Sequence, residues 1–203
     1  MKSMTALISR MMVSEVLRSP QIIDAFRAVD RKYFVSEALL EYTYEDIPLS
    51  IGNDQTISQP STVAFMLEHL APQEGDKVLD IGSGSGWTTT LLCQLVGKKG
   101  SVIGLERVGS LVELGQNNLS KFHFDHCHIE QAGEKLGLPG EAFDRILVSA
   151  SADEIPKELF SQLKVGGILV IPVGQSIFKF KKVSETDIEK EEFYGFVFVP
   201  LIY

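Results

Sequence analysis

Val78-Leu79-Asp80-Ile81-Gly82-Ser83-Gly84-Ser85-Gly86-Trp87 is the stretch that decides the fold of this chain. Its first four residues predict a short buried strand, its three glycines predict a sharp turn, and residues 88–96 predict a helix. Glycine lacks a Cβ, so the turn can adopt positive φ angles and let a ligand approach the backbone closely. The start of the next helix adds unpaired N–H groups and a positive dipole end. This order predicts a nucleotide-binding unit, against the simpler alternative that the glycines only turn the chain.

The spacing of the glycines and two acidic residues narrow the ligand. The pattern is G-x-G-x-G, whereas nicotinamide and flavin sites use G-x-G-x-x-G. Asp80 stands just before the turn, where a carboxylate repels a pyrophosphate and suits a cationic or zwitterionic ligand. Glu106 ends the next apolar run, where a carboxylate can accept both hydroxyls of a ribose. Together these features indicate S-adenosylmethionine and not a dinucleotide.

Apolar runs and amphipathic segments alternate along the rest of the chain and predict an α/β fold. The predicted strands are residues 78–81, 102–105, 128–131, 145–149, 168–171, 178–183 and 193–199. The predicted helices are residues 4–17, 20–29, 61–70, 88–96, 108–122 and 156–163. Parallel strands joined by helices and ending in an antiparallel hairpin are typical of class I, Rossmann-like methyltransferases. We therefore expect a mostly parallel seven-stranded sheet with an N-terminal helical extension.

Composition limits the remaining possibilities. The 203 residues are 44% hydrophobic and 23% charged, as expected for one globular domain, and the net charge is −8. This charge argues against non-specific binding to nucleic acid or to an anionic membrane. No apolar run approaches the roughly 20 residues that span a bilayer, and residues 1–13 do not resemble a signal peptide. The cytoplasm is therefore the expected location, and Cys93 and Cys127, in predicted buried elements without metal-ligand spacing, fit reduced thiols and no disulfide framework. We expect a monomer, because no long unexplained apolar face remains.

A second motif precedes the glycine turn. It is Gln55-Thr56-Ile57-Ser58-Gln59-Pro60, and the predicted helix 61–70 follows it. Taken alone, this run is a loop in which the Ser58 hydroxyl caps the start of that helix.

The same run resembles the signature of the protein-L-isoaspartate (D-aspartate) O-methyltransferase family. The resemblance covers nearly the whole chain and follows the family order. Its further segments are residues 22–35 (IIDAFRAVDRKYFV), 78–87, 105–107 (LER), 154–156 (EIP), 166–174 (GGILVIPVG) and 198–201 (FVPL). The glycine turn is common to many methyltransferases, but its combination with TISQP, GGILVIPVG and FVPL is much more specific.

The resemblance implies methylation of the α-carboxylate of L-isoaspartyl residues in damaged proteins and peptides. S-adenosylmethionine is the implied cofactor and S-adenosyl-L-homocysteine its product. The ester promotes re-formation of a succinimide, part of which hydrolyses to normal aspartate. The carboxylate is ionised near neutral pH, so the transfer requires neither a general base nor a metal. We expect one domain over residues 1–203, with N-terminal helices and the substrate and cofactor loop in 1–60 and the Rossmann-like core in 61–203.

The family pattern also implies roles for individual residues. Ser58 is the implied catalytic residue, whose hydroxyl donates to the substrate carboxylate. The implied cofactor-binding residues are Thr56, Ile57, Asp80, Gly82, Ser83, Gly84, Ser85, Gly86, Glu106, Gly133 and Glu134. The implied substrate-binding residues are Gln55, Ser58, Val199, Pro200 and Leu201.

Among the positions that depart from the family pattern, two bear on the predicted site. Asp54 stands where the family has glycine or another small residue, and Glu134 stands where it has aspartate. Two alternatives therefore stay open from the sequence. One is a related methyltransferase for another peptide or small-molecule carboxylate, and the other is a catalytically silent S-adenosylmethionine-binding module.

Overall fold

The first part of the chain forms helices and a small hairpin ahead of the main sheet. The computed structural model describes residues 3–202. Its first elements are α1 (Met4–Val13), α2 (Pro20–Ala28), 3-10 turns at Arg31–Phe34 and Glu37–Tyr42, β1 (Leu49–Gly52), β2 (Gln55–Ile57) and α3 (Pro60–Leu70). β1 and β2 pair antiparallel as a separate hairpin, which the sequence did not predict. Each of these strands is only three or four residues long, too short for an alternating pattern to stand out.

A seven-stranded sheet with helices between its strands forms the rest of the molecule. In chain order its elements are β3 (Lys77–Ile81), α4 (Trp87–Val96), β4 (Ser101–Glu106), α5 (Gly109–Ser120), β5 (Cys127–Gln131), β6 (Phe143–Val148), α6 (Glu158–Ser161), β7 (Leu163–Val173), β8 (Ser176–Lys182) and β9 (Ile188–Tyr194). The strand order is β5-β4-β3-β6-β7-β8-β9. The first five strands of this order pair in parallel, and β8 and β9 add two antiparallel pairings. The predicted parallel sheet with a C-terminal antiparallel hairpin is therefore confirmed.

The sheet is buried on both faces. Successive side chains of β3 point to opposite sides, as expected of a strand. Val78 belongs to the hydrophobic cluster that contains α1 to α4, and Leu79 belongs to the cluster that contains Leu159 and Phe180 on the other side. Because both faces are covered, the central strands are mostly apolar along their length, which is why their sequence pattern is easy to recognise.

The position of β3 in the strand order creates the cleft that concerns function. From β3 the chain moves outward through β4 to β5, and then returns to the opposite side of β3 as β6. The carboxyl ends of β3, β4 and β6 consequently diverge around a crevice, which is where open α/β sheets bind ligands. The turn after β3 is tied to β4, because the backbone N–H groups of Gly82 and Ser83 both donate to the carbonyl of Leu105.

The last strand lies earlier in the chain than the sequence predicted. The prediction placed it at residues 193–199, but β9 runs over Ile188–Tyr194 and is almost entirely exposed. An exposed edge strand is stabilised by backbone pairing and by cross-strand charges, such as the Lys179–Glu191 ion pair at 2.6 Å. Such a strand has no hydrophobic pattern. The sequence therefore predicts the strand over the more apolar residues that follow it.

The two cysteines are paired, which corrects the expectation of reduced thiols. Cys93 lies in α4 and Cys127 begins β5, and the two form a disulfide with a Cα–Cα distance of 6.2 Å. They are 34 residues apart in the chain, so only the packing of α4 over the sheet brings them together.

Within residues 3–202, no helix is long and apolar enough to cross a membrane.

Candidate active site

A cavity of about 250 Å³ opens at the carboxyl ends of the central strands. The glycine turn after β3, the residues after β4 and β5, the β1–β2 hairpin and the C-terminal segment all border it. Its lining contains nine residues from the predicted site, which are Gln55, Thr56, Gly82, Gly84, Glu106, Gly133, Val199, Pro200 and Leu201. Residues that are far apart in the chain therefore meet in one place, as the resemblance implied.

Gly82 and Gly84 give the turn its shape. Their φ angles are +80° and +50°, in the region that favours glycine. A Cβ at Gly84 would lie 3.1 Å from Ile51 Cδ1 in the hairpin above it. The hairpin thus rests directly on the glycine turn, and the cavity extends between them.

Glu106 connects the glycine turn to the segment after β4. Its Oε2 accepts a hydrogen bond from the N–H of Gly84, and its Oε1 accepts one from the N–H of Val108, both at 2.9 Å. The side chain is 8% exposed and borders the cavity. A carboxylate has about four lone-pair positions, so acceptor capacity is left for hydroxyl groups of a ligand.

Three predicted cofactor residues lie outside the lining of the cavities at this site. Gly86 faces α5, and a Cβ there would lie 3.0 Å from the carbonyl oxygen of Gly115 and from Ile129 Cδ1. Glu134 is absent from the lining, whereas its neighbours Gly133 and Lys135 are part of it. Asp80 is the third, and it is fully buried below the turn.

Asp80 joins three elements under the cavity. Its Oδ2 accepts a hydrogen bond from Thr89 Oγ1 in α4 at 2.6 Å, and its Oδ1 accepts one from Ser149 Oγ after β6 at 3.4 Å. Burial raises the pKa of Asp80 to about 6, although these two hydrogen bonds oppose the shift. The residue is placed to hold the walls of the site together and not to contact a ligand in the main cavity.

The serines of the glycine turn face the TISQP segment across a small cavity. Its lining includes Ser58, Thr56, Ile57, Ser83 and Ser85. Ser83 Oγ is buried and has no hydrogen-bond partner among the described residues. A buried hydroxyl without a partner is unusual, so this position suits a polar group of a bound ligand.

Ser58 does not cap α3. That helix begins at Pro60, and the preceding residue, Gln59, makes no side-chain capping bond. The backbone N–H of Ser61 is instead satisfied by Asp46 Oδ1 at 2.8 Å. Within residues 3–202 the Ser58 hydroxyl has no hydrogen-bond partner, which leaves it available to a substrate.

A second large cavity, of about 260 Å³, also has Ser58 in its lining. It is bordered by Pro48, Gln59, Thr62, Ser149 and residues 197–199 as well as by Ser58. Val199 lines both large cavities, while Pro200 and Leu201 line only the first. Ser58 therefore borders both the small cavity next to the glycine turn and this outer cavity, but it is absent from the lining of the 250 Å³ cavity.

The C-terminal segment is held against the end of β6 by backbone bonds. The N–H of Ser151 donates to the carbonyl of Val199 at 2.8 Å, and the N–H of Leu201 donates to the carbonyl of Ser151 at 2.7 Å. This short ladder explains how residues near the end of the chain become walls of the site.

Asp54 lies at the exposed tip of the β1–β2 hairpin. Its φ angle is +56°, and that of Asn53 is +53°. Asn53 Nδ2 donates to Ser110 Oγ at 3.2 Å, which joins the hairpin tip to the start of α5. Aspartate is among the few residues other than glycine that adopt this conformation readily, so the departure from the family pattern is compatible with the turn.

The sequence analysis missed several lining residues. They are Ile51, Leu105, Arg107, Val108, Ala132, Lys135, Leu136, Gly137 and Ile202. Those immediately after β4 and β5 could have been found from the rule that ligands bind beyond the carboxyl ends of parallel strands. Ile51 has no such signal, because it reaches the site only through the fold of the hairpin.

Comparisons with known proteins agree with this geometry. The family model for Protein-L-isoaspartate(D-aspartate) O-methyltransferase (PCMT) matches residues 2–203. A Methanopyrus kandleri protein named protein-L-isoaspartate O-methyltransferase is 41% identical over 202 residues, covering 97% of this chain and 89% of its own. One of the same name from Flavobacterium psychrophilum is 41% identical over 191 residues, with 92% and 88% covered.

A solved structure extends the similarity to three dimensions. It comes from Plasmodium falciparum and is described as a protein-L-isoaspartate O-methyltransferase in complex with S-adenosyl-L-homocysteine. It superimposes with a TM-score of 0.87 at 27% identity and covers 97% of both chains. The similarity therefore includes the N-terminal extension as well as the sheet.

Proposed function

This chain belongs to the protein-L-isoaspartate (D-aspartate) O-methyltransferase family, and from that membership we propose how its own residues carry out the reaction. The enzyme methylates the α-carboxylate of L-isoaspartyl residues in damaged proteins and peptides, using S-adenosylmethionine and releasing S-adenosyl-L-homocysteine. In the ester, the neighbouring backbone nitrogen displaces methanol and forms a succinimide. Hydrolysis of the succinimide then returns part of the material to normal aspartate.

The cavity beside the glycine turn holds the cofactor. Glu106 accepts hydrogen bonds from the ribose hydroxyls with the acceptor positions that Gly84 and Val108 leave unused. Ser83 contributes a buried hydroxyl that lacks a partner among the described residues. Gly82 and Gly84 allow the close approach, and the segment that begins at Gly133 borders the adenine end. When bound, S-adenosylmethionine supplies an electrophilic methyl group on a positively charged sulfur.

Ser58 orients the carboxylate for attack. Its hydroxyl donates to one carboxylate oxygen, which directs the other oxygen toward the methyl group. No proton has to be removed, because the carboxylate is already ionised near neutral pH. Holding two reactants in attack geometry can contribute roughly 7–11 kcal/mol in favourable cases, so orientation is the main work of the protein here.

Apolar residues around Ser58 limit the access of water. Ile51 lies over the glycine turn, and Phe198 and Val199 border the outer cleft in which the peptide binds. An environment with less water strengthens the hydrogen bond from Ser58 to the carboxylate. The peptide itself lies extended along this cleft.

The observation that carries this mechanism is that Ser58 borders both the small cavity at the glycine turn and the outer cavity, with a hydroxyl that has no partner among the described residues. The test uses labelled S-adenosylmethionine and two peptides that differ only in an isoaspartyl or an aspartyl residue. We expect base-labile label on the isoaspartyl peptide alone. Label on both peptides would indicate another carboxylate substrate, and label on neither, with the cofactor still bound, would indicate a silent binding module.

Further properties complete the proposal. The whole chain acts as one domain, because the cluster that contains Met4 and Phe26 also contains Val78 of the sheet. It acts on proteins and not on nucleic acid, in keeping with a net charge of −8. We expect a monomer, which light scattering would test. A cytoplasmic location stays a prediction, and the Cys93–Cys127 disulfide removes the argument that free thiols offered for it.

A further inference from the structure

Arg31 is a fully buried cation whose partners are main-chain carbonyls. It lies in the first 3-10 turn and has no exposed surface. Its Nη1 donates to the carbonyl of Thr43 at 2.9 Å, and its Nη2 donates to the carbonyls of Ile47 at 2.9 Å and Ser58 at 3.0 Å. It forms no ion pair with a carboxylate in the described part of the chain. Burying a charge is costly unless it is well hydrogen-bonded, so this set of carbonyls requires an explanation.

Two of these carbonyls lie at the two ends of the β1–β2 hairpin. Ile47 precedes β1, and Ser58 directly follows β2. A single nitrogen, Nη2, bonds both. The guanidinium therefore joins the two ends of the hairpin and holds the main chain at Ser58. This residue borders both the small cavity at the glycine turn and the outer cavity.

The same guanidinium also contacts the cofactor side of the site. Its Cζ lies 5.3 Å from the centroid of the Trp87 ring. Trp87 is the first residue of α4 and directly follows the glycine turn. Its ring is fixed by an edge contact with Phe26 and by a hydrogen bond from Nε1 to the carbonyl of Val29 at 3.4 Å. Arg31 thus contacts both segments whose relative position decides the reaction geometry.

We propose that Arg31 is a positioning residue that sets the Ser58 hydroxyl relative to the glycine turn, by bonding the carbonyls at both ends of the hairpin while its guanidinium lies over the Trp87 ring. This proposal rests on the proposed function of Ser58. Arg31 is absent from the linings of all three cavities at the site. Its effect is therefore exerted through the main chain and not through contact with a ligand.

The chemistry of the guanidinium predicts that lysine replaces it only in part. A planar fork offers several donors in fixed directions and also stacks on aromatic rings, whereas an ammonium is a compact point charge. Burial lowers the pKa of Arg31 to about 10, and the negative charge of Asp46 partly opposes this. The group is consequently charged at neutral pH, and its role does not depend on pH in that range.

The test compares Arg31→Met and Arg31→Lys with Arg145→Met. Arg145 is a suitable control because it is also mostly buried, donates to the carbonyl of Ala71 and lies 3.6 Å from Asp76, away from the site. For each variant the turnover number is expressed per cofactor-binding site counted by calorimetry. Trp87 is the only tryptophan of the chain, so tryptophan fluorescence reports on the surroundings of this one ring, which Arg31 contacts.

We expect Arg31→Met to lower kcat per cofactor site by about 10- to 100-fold, since small misplacements of reacting groups have effects of this size. The Kd for S-adenosylmethionine should change by less than about threefold, and Arg31→Lys should fall between wild type and Arg31→Met. Both variants should shift the Trp87 fluorescence. Arg145→Met should leave kcat per site and the fluorescence unchanged, even if it lowers the melting temperature.

A purely structural role for Arg31 would give a different result. The number of cofactor sites would fall, while kcat per site stayed within about twofold of the Arg145→Met control, and that result overturns the proposal. If Arg31→Met does not fold, Arg31→Lys decides by the same criterion.

Failure of the proposed function is recognised separately. In that case the wild type itself does not methylate the isoaspartyl peptide. Hydrogen exchange of residues 49–57 then tests the positioning directly. Faster exchange there in Arg31→Lys than in Arg145→Met supports it, and equal exchange rejects it.

Discussion

Glu106, at the end of β4, accepts a hydrogen bond from the backbone N–H of Gly84, in the turn after β3, at 2.9 Å. The acid that was expected only to bind a ribose therefore also holds the glycine turn. Its other oxygen bonds the N–H of Val108, so one carboxylate organises two of the segments that border the cavity.

Replacing this carboxylate should weaken cofactor binding. In Glu106→Gln one acceptor oxygen becomes an amide NH₂ group. That group either faces a backbone N–H, as two donors, or no longer accepts a hydrogen bond from a ribose hydroxyl. We expect the Kd for S-adenosylmethionine, measured by calorimetry, to rise at least about tenfold, or about 1.4 kcal/mol. Glu130→Gln on the exposed part of β5 is the matched control. An unchanged Kd for Glu106→Gln would exclude Glu106 as a ligand.

A side chain at Gly84 should abolish cofactor binding. Gly84→Val introduces a β-branched residue at a φ of +50°, with its Cβ 3.1 Å from Ile51 Cδ1. We expect no measurable binding by calorimetry in a variant that still melts cooperatively. Gly140→Val is the control for backbone strain, because Gly140 also has positive φ but open space around it. If Gly84→Val binds normally, this turn is not the cofactor site.

Removal of the Ser58 hydroxyl should affect the chemical step. We expect Ser58→Ala to lower kcat by about tenfold or more, or at least about 1.4 kcal/mol, with the Kd for S-adenosylmethionine unchanged. Ser61→Ala is the control, since it removes a hydroxyl three residues away at the start of α3. A kcat for Ser58→Ala within about twofold of wild type would show that the hydroxyl does not orient the substrate.

Gly86→Ala separates packing from ligand binding. A Cβ at this position would lie 3.0 Å from the carbonyl oxygen of Gly115 in α5 and from Ile129 Cδ1 in β5. The backbone of Gly86 also has a positive φ of +83°, which alanine disfavours. Overpacking of this kind costs about 1–3 kcal/mol of folding free energy, which denaturant unfolding measures. We expect the Kd of the folded fraction to stay the same. A weakened Kd without loss of stability would restore Gly86 to the cofactor site.

Asp80 should make stability depend on pH in a defined window. Burial raises its pKa from 3.8 to about 6, so between pH 4 and pH 6 the folded state binds more protons than the unfolded state. The free energy of unfolding then falls as pH rises through this window, by about 3 kcal/mol if the full shift applies. Asp80→Asn, whose amide can bond both Thr89 and Ser149, lacks this loss.

The measurement is the difference in unfolding free energy between wild type and Asp80→Asn from pH 4 to pH 7. The difference cancels the contributions of other titrating groups. We expect wild type to lose stability relative to Asp80→Asn as pH rises to about 6 and to change little above it. A flat difference would mean that Asp80 titrates normally.

Several elements were predictable because their signals are local. Strands β3 and β4 are largely apolar on both faces, Gly82 and Gly84 lie in the turn just after β3, and Glu106 is the last residue of β4. Strand β9 was misplaced, because its charged and exposed residues pair through the backbone and have no hydrophobic pattern. A helix-capping role for Ser58 was the local alternative, and it is wrong. The backbone N–H of Ser61 donates instead to Asp46, which is distant from it in the chain.

The sequence by itself determined the parallel sheet, the glycine turn, the acid after β4 and the family, since each depends on neighbouring residues and their order. Only the tertiary structure decided that Asp80 lies beneath the cavity, that Gly86 packs against α5, that Cys93 meets Cys127 and that Arg31 bonds both ends of the hairpin. These four relationships join segments that are separated along the chain. Which residues meet depends on how the helices and the hairpin pack on the sheet. A local pattern of residues does not indicate that packing.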